Sequence, residues 1–270
     1  MIKNITIGQY IPGDSYIHKL DPRIKIILSM LFVLGLFLVN DFKGYIFIIP
    51  FIFLTIVISR LKFEYIYKGL KPIFILLMVT GFLNIFMIQG KTPWFNLFNF
   101  IIIYKEGVYT ATFMMLRLVF LIVGTSILTL STSPIELTDG IENLLNPFKK
   151  IGVPAHELAM MMTIALRFIP TLIDETDKIM KAQMARGADF ESGNIFTRAK
   201  NLIPLLVPLF ISSFRRADEL AMAMEARCYR GGEGRTRMKQ LKMTYRDVVA
   251  TFTFLIFLAL SVSCKWWLKV

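Results

Sequence analysis

The chain has 270 residues, of which 55% are hydrophobic and 24 are phenylalanine, and its mean hydropathy is +0.59. A soluble domain of this size does not need so much apolar surface, so the composition excludes an ordinary soluble protein and indicates a membrane protein. The net charge is +12, and 17 of the 31 Lys and Arg residues lie between residues 131 and 247 with 14 of the 19 Asp and Glu residues, so one charged region interrupts an apolar chain.

Five apolar runs predict five transmembrane helices, and the links between them predict their direction. The link after the second run carries four cations, whereas the link after the third carries two and is rich in Trp and Phe. Cytoplasmic links hold an excess of Lys and Arg, and aromatic residues collect at the membrane interface. The sequence therefore predicts a multi-pass protein with its N-terminus in the cytoplasm and its C-terminus outside. The predicted spans are residues 26–39, 45–59, 72–88, 108–130 and 248–264.

These runs divide the chain into three regions. Residues 1–130 hold the first four spans, residues 131–247 form a charged region on the cytoplasmic side, and residues 248–270 hold the last span. The predicted fold class is an all-α membrane protein with about five transmembrane helices plus long helices on the cytoplasmic side.

Two long helices of the charged region end in similar motifs. The first ends at Ala185-Arg186-Gly187 and the second at Ala226-Arg227-Cys228. Gly187 and Gly231 are predicted as the residues that stop the helices, because glycine accepts the left-handed conformation. An arginine in the last turn interacts favourably with the negative end of the helix dipole. Two similar ends suggest two equivalent anchoring points for something acidic or two-fold.

The apolar halves of these two helices, residues 158–173 and 202–214, are long enough to touch lipid. The first contains Arg167 and Pro170, and the second contains two further prolines. A charged arginine inside lipid costs about 2.5 kcal/mol or more. We therefore expect both segments to lie against the inner membrane surface, with a re-entrant hairpin as the alternative. Pairs at i,i+4 spacing predict ion pairs along the charged halves: Asp174 with Lys178, Asp177 with Lys181, and Arg215 with Glu219.

The residues of catalytic and metal sites are scarce. The chain has two histidines, and His156-Glu157 lacks the second histidine that a zinc protease motif needs, because Met160 stands at that position. The glycine-rich run at 231–236 lacks the lysine of a phosphate-binding loop. Arg117 is the one charge inside a predicted span, where it is either a gate residue or a packing residue, and the absence of an acidic neighbour favours packing. The sequence predicts no catalytic residue and no metal site.

Five motifs together resemble the transmembrane (T) component of energy-coupling factor transporters, a class of ABC importers for vitamins and metal ions. They are Leu20-Asp21-Pro22-Arg23 before the first span, Ser131-Thr132-Ser133-Pro134 after the fourth, the run from Leu166 to Pro170, and the two Ala-Arg-small helix ends. One departure is Cys228, which stands where glycine is common.

The resemblance implies a non-enzymatic subunit of a bacterial or archaeal plasma membrane. In that family the two motifs end coupling helices, and each arginine docks into a groove of one of two ATPase subunits, which alone bind ATP and Mg²⁺. Their motion reaches one or more exchangeable substrate-binding membrane subunits. The implied docking residues are Ala185, Arg186, Gly187, Ala226, Arg227 and Cys228, and Arg117, Arg167 and Pro170 are structural or gating candidates. The chain itself is expected to hold no cofactor and no nucleic acid.

Three alternatives stay open from the sequence. The chain could serve a dedicated importer of one metal ion or vitamin rather than a shared one. A conventional ABC permease would have one coupling motif rather than two, and a channel would have polar stripes along several spans, where this chain has scattered Ser, Thr and Asn.

Overall fold

The computed structural model describes residues 10–39, 41–88, 90, 92–97, 101–190, 192–232 and 240–267. This part of the chain is almost wholly helical, which confirms the predicted all-α membrane fold class. The helices are α1 (Pro22–Leu38), α2 (Phe42–Ser59), α3 (Phe63–Leu70), α4 (Phe74–Met87), α5 (Lys105–Ser131), α6 (Pro134–Leu145), α7 (Ala155–Ala185), α8 (Ile195–Asn201), α9 (Ile203–Ala226) and α10 (Tyr245–Trp267). Two short strands, β1 (Pro93–Leu97) and β2 (Ile101–Tyr104), pair antiparallel in the link before α5.

Five helices of the described chain are long and apolar enough to cross a membrane, the number that the sequence predicts. The set differs from the predicted one at two places. α1 has 17 residues and is not among the five, whereas α7 is. Seventeen helical residues cover roughly 26 Å, a little less than a hydrocarbon core. Length and composition do not fix the position of α7, so its place along the inner membrane surface stays a prediction.

Capping residues, prolines and turns determine where the helices begin and end, and the apolar runs do not show them. α1 begins where the side chain of Asp21 accepts a hydrogen bond from the backbone N–H of Arg23 at 2.9 Å, with Pro22 in the first helical position. Such a cap satisfies a backbone donor that the first turn of a helix leaves free. The third predicted span begins as α3 and passes through a 3₁₀ turn at Lys71–Ile73 before α4. In the aromatic link, Phe98 and Phe100 lie outside the described residues.

The chain divides into two compact units. The membrane unit is Gly8–Gly140 with Leu241–Val270, and the central unit is Ile141–Gln240.

Hydrogen bonds at one end of the membrane unit fix the directions of three helices. Nζ of Lys25, in the first turn of α1, donates to the backbone carbonyl of Ser131, the last residue of α5, at 3.0 Å. At the same end, the N-cap of α1 is bonded to Asp247 in the first turn of α10. α1 and α10 therefore run in the same direction and α5 runs against them, as the predicted order of spans requires.

Asp247 is a buried carboxylate that joins the starts of α1 and α10. It is 2% exposed. One oxygen accepts from the backbone N–H of Asp21 and the other from that of Thr244, each at 2.7 Å. The second bond is the return half of a capping box, because Thr244 directly precedes α10. A single side chain thus caps the last helix and holds the first one beside it.

The core of the membrane unit contains residues of α1, α2, α3 and α5. Leu36 and Tyr45 are 1% exposed. The ring of Tyr45 stacks on Phe113 with centroids 4.9 Å apart and meets Phe120 edge-on at 5.2 Å. Both geometries are favourable for aromatic pairs and add to the burial of the rings.

The central unit consists mainly of α7 and α9, with little buried between them. The buried residues of these two helices are Ala155, Ala159 and Leu205. Polar contacts join the helices instead. Glu175 accepts from Ser212 and Arg216, and Gln183 donates to the carbonyl of Pro204 at 3.4 Å. As the contact moves forward along α7 it moves backward along α9, so the two helices run antiparallel.

Candidate functional site at two arginine helix ends

α7 ends in a Schellman motif, a pair of backbone hydrogen bonds closed by a left-handed residue. The N–H of Gly187 donates to the carbonyl of Met184 and that of Ala188 to the carbonyl of Gln183, both at 3.0 Å. Gly187 takes the left-handed position with φ of 87°. This geometry satisfies carbonyls that the last turn of a helix leaves free, and glycine adopts it without a Cβ clash. Arg186 is the residue at which the helix closes.

α9 ends in the same motif. The N–H of Cys228 donates to the carbonyl of Glu225 at 2.8 Å, and that of Tyr229 donates to the carbonyl of Met224 at 3.0 Å. Arg227 has φ and ψ of −92° and 14°, against −88° and 7° for Arg186. The two arginines therefore leave helix ends of almost identical backbone shape.

The prediction that Gly231 stops α9 is wrong, because Cys228 takes the left-handed position with φ of 55°. Gly231 also has a positive φ, but it lies beyond the end of the helix. A left-handed conformation costs a residue with a Cβ roughly 1–2 kcal/mol, so a cysteine here carries strain that Gly187 does not. In both helices the left-handed residue directly follows the arginine, although in α9 this residue is a cysteine rather than the glycine that this conformation favours.

Both arginine ends are open to solvent. Arg186 and Arg227 are exposed, and so are the alanines before them, Ala185 and Ala226. Among the described residues neither guanidinium has an ion-pair partner. A guanidinium offers a planar fork of N–H donors that matches a carboxylate, and the small neighbours leave room for a partner surface to approach. The site is chemically suited to docking onto an acidic surface.

The ion pairs predicted along α7 and α9 do not form in the described chain. The pair that does form joins the two helices, with Arg216 Nη2 2.7 Å from Glu175 Oε2. Exposed pairs at i,i+4 contribute only a few tenths of a kcal/mol, so those side chains stay solvated. Sequence spacing missed Glu175, Ser212 and Arg216, because a contact between two helices leaves no signal within either of them.

The remaining candidate residues lie in two different places. Arg117 belongs to the membrane unit, where Nη2 donates to the carbonyl of Val39 at 2.7 Å and the guanidinium lies 4.8 Å from the centroid of the Phe113 ring. These contacts hold α5 against the end of α1, which is the geometry of a packing residue. Arg167 and Pro170 are exposed on α7, and the helix continues through the proline.

No group of three or more His, Cys, Asp or Glu side chains in the described part of the chain is placed to hold a metal ion. His156 is bonded to Glu142 at 3.0 Å. The absence of a metal site and of a catalytic residue stays a prediction.

Comparisons with known proteins identify the family of this chain. The sequence model of the cobalt transport protein family matches residues 13–238. A protein of Clostridium kluyveri named energy-coupling factor transporter transmembrane protein EcfT is 67% identical over 270 residues, which is all of both chains. The chain belongs to this family of energy-coupling factor transporter transmembrane proteins.

Other relatives of the same name span most of the chain as well. The protein of Thermosediminibacter oceani is 62% identical over 92% of this chain and 93% of its own. That of Bacillus subtilis is 49% identical over 96% of this chain and 98% of its own. The resemblance inferred from the sequence motifs is thereby confirmed, and the chain is a membrane component of an energy-coupling factor transporter.

Proposed function

We propose that this chain is the coupling subunit of an energy-coupling factor ABC importer. It transmits the ATP-driven motion of two ATPase subunits to a separate membrane subunit that binds a vitamin or another micronutrient. The observation that carries the proposal is the pair of exposed arginines, Arg186 and Arg227, on helix ends of nearly identical geometry. Two matched ends suit two copies of one partner, or two related partners, whereas a conventional permease would present one coupling motif per chain.

ATP and Mg²⁺ belong to the ATPase subunits in this proposal, and the present chain binds no cofactor and catalyses no reaction. Its part is mechanical. When the ATPases close on ATP, the grooves that hold the arginines approach one another, and α7 and α9 carry that motion towards the membrane. A small residue on either side of each arginine lets the guanidinium reach into a groove without a clash.

We place the end of the membrane unit that holds the starts of α1 and α10 on the cytoplasmic side of a plasma membrane. The link from α2 to α4 lies at this end, and it carries Arg60, Lys62, Lys68 and Lys71, whereas the link from α4 to α5 carries only Lys91 and Lys105. This asymmetry follows the positive-inside rule. The N-terminus is then cytoplasmic.

Exposed methionines support a module shared among several substrate-binding subunits. On α7 and α9 four of them are exposed by 42% to 61%: Met161, Met162, Met184 and Met222. An unbranched thioether side chain adapts to surfaces of different shape, which suits exchange of partners. A dedicated importer is the second candidate, because the matching family model is that of cobalt transport proteins.

Purification of the tagged chain from its own membranes tests the proposal. We expect the wild type to recover two ATPase subunits and more than one small membrane protein. One fixed membrane partner under every growth condition would mean a dedicated importer. Arg186→Glu with Arg227→Glu should abolish recovery of the ATPases while the chain stays in the membrane, because a charge-assisted contact becomes a repulsion.

Two control variants complete this experiment. Arg215→Glu makes the same charge change at an exposed position of α9 away from the end, and we expect it to retain the ATPases. Arg186→Lys should weaken recovery measurably, since lysine lacks the planar fork. A double Arg→Glu variant that still purifies with its ATPases and still supports uptake would contradict the proposal.

A further inference from the structure

α7 and α9 match one another along their charged halves when the sequence is shifted by 41 residues. The shift that places Arg186 on Arg227 also places Asp177 on Asp218 and Ala182 on Ala223. It places Glu175 on Arg216, each of them eleven residues before its arginine end. The one ion pair that joins α7 and α9 in the described chain is therefore formed by two residues at equivalent positions.

Both carboxylate oxygens of Glu175 accept a hydrogen bond from a side chain of α9. Arg216 Nη2 lies 2.7 Å from Glu175 Oε2, and the hydroxyl of Ser212 donates to the other oxygen. The side chains of Glu175 and Arg216 are only 22% and 30% exposed. Because Ser212 and Arg216 are four residues apart, both face α7 from one side of α9. A half-buried charge pair with a third hydrogen bond is a stronger tie than a solvated surface pair.

The ion pair between Glu175 and Arg216 lies at the same distance from both arginine helix ends. In a two-fold arrangement, residues that contact their own equivalents lie at the axis. Eleven helical residues span roughly 16 Å, so the two arms from the ion pair to the arginines have equal length. Since the helices run antiparallel, the arms point in opposite directions. Two like charges would repel at such a point, and the chain places opposite charges there.

We infer that Glu175, Arg216 and Ser212 form a pin that holds α7 and α9 together at one fixed point, so that the two arginine ends turn about that point when the ATPase grooves approach one another. The inference rests on the proposed function for its consequence in transport. The three residues are positioning residues, because they lie about three to four helical turns from the arginines and act through the helices that carry them. Without the pin, each ATPase would move its own helix, and less of that motion would reach the membrane.

The test compares charge removal with charge exchange. Glu175→Gln and Arg216→Gln each remove one partner, and the exchange variant carries Glu175→Arg with Arg216→Glu. Asp174→Asn and Arg215→Gln are matched controls, since they change the same kinds of charge one residue earlier at exposed, equivalent positions. Each variant is assembled with its ATPases and substrate-binding subunit in liposomes, and uptake per ATP hydrolysed is measured.

We expect each single variant to lower uptake per ATP roughly fivefold or more. The exchange variant should restore it and the controls should leave it unchanged. Loss of the ATPases from the single variants would also support the pin if the exchange restored them. Single variants that transport as well as the controls, or an exchange that restores nothing, would overturn it.

A distance measurement separates the pin from the proposed function. Spin labels at Asp189→Cys and Arg230→Cys stand three residues beyond each arginine, in a chain that also carries Cys228→Gly and Cys264→Ser. We expect a narrow distance distribution with the native pair, a broad one with either single variant, and a narrow one again with the exchange. Equal widths in all variants would contradict the pin even where transport changes. If the wild-type chain recovers no ATPases, the proposed function fails while this result still decides on the pin.

Discussion

The two units of the chain differ in whether they contain buried polar side chains. In the described residues every buried polar or charged side chain belongs to the membrane unit, including Asp21, Lys25 and Asp247. Both units expose large apolar residues: Ile75 at 74% in the membrane unit, and Phe210 at 60% and Met222 at 61% on α9 in the central unit. The difference is that the membrane unit holds buried polar side chains whose partners lie within it, whereas α7 and α9 bury three residues, all of them apolar. We therefore expect the membrane unit to be fixed by its own polar contacts, and the proposed function assigns the exposed surface of α7 and α9 to partner subunits.

This contrast predicts that the two units fail in different ways. Damage to the membrane unit should lower stability and leave the docking chemistry of any folded protein intact. Damage to the helix ends should lower docking and change stability by no more than about 1 kcal/mol. The three predictions below test this separation.

The largest effect is expected at Asp247. Asp247→Ala leaves the backbone N–H groups of Asp21 and Thr244 without their acceptor, and the buried one, that of Asp21, alone costs about 1–3 kcal/mol when it is unpaired. We expect a large drop in the thermal unfolding midpoint of the purified chain, with normal ATPase recovery per folded molecule. Asp14→Asn is the control, because the side chain of Asp14 is 96% exposed and its pair with Lys19 contributes little. An Asp247→Ala variant as stable as the control would show that the polar contacts of Asp247 do not fix the membrane unit.

Arg117 should give the next largest effect. Arg117→Met removes the hydrogen bond to the carbonyl of Val39, and a bond from a charged group contributes about 1.5–3 kcal/mol. If Arg117 is a packing residue, the variant should be less stable but should have a normal uptake rate per folded transporter. Full stability with a reduced uptake rate would show a gate residue instead. Comparing the unfolding midpoint with uptake in liposomes decides between them.

The smallest effects are expected at the residues that stop α7 and α9. A Cβ added at Gly187 meets no atom within 4 Å, so Gly187→Ala acts through its left-handed backbone alone and should cost about 1 kcal/mol. Cys228→Gly should relieve a similar strain at the other end. Amide hydrogen exchange in the last turn of each helix should become faster in the first variant and slower in the second.

Gly152→Ala is the matched control for the helix stops. Gly152 has φ of 91° and no atom within 4 Å of the added Cβ, but it lies before α7. It should lower stability as Gly187→Ala does and leave ATPase affinity unchanged. If Gly152→Ala weakened docking as much as Gly187→Ala, the shape of the arginine ends would not be what the ATPases recognise.

The sequence predicted features that depend on short stretches of chain. The apolar runs placed the centres of four helices that meet the length and hydropathy of a span, and Ala-Arg-small marked both helix ends. Asp21-Pro22 marked the start of α1, because an N-cap and a proline in the first turn are local signals. These features need no knowledge of the rest of the fold.

Features that depend on distant residues could not be predicted in this way. The bonds from Asp247 to Asp21 and from Glu175 to Arg216 join residues far apart in sequence, so no spacing within either segment reveals them. Cys228 was missed as a helix stop because Gly231 is the better left-handed residue, and the hydrogen bonds of the last turn decided otherwise. The strand pair before α5 was hidden by an apolar run that does not alternate.

The central claim is that the two arginine ends are equivalent docking points for two ATPase subunits, and crosslinking tests it most directly. A photoactivatable amino acid placed next to each arginine, at Ala185 or at Ala226, is irradiated in the purified transporter. We expect both positions to attach an ATPase with similar yield, the doubly substituted chain to attach two, and Arg215, carrying the same probe, to attach none. Crosslinks from only one end, or from neither, would contradict the claim.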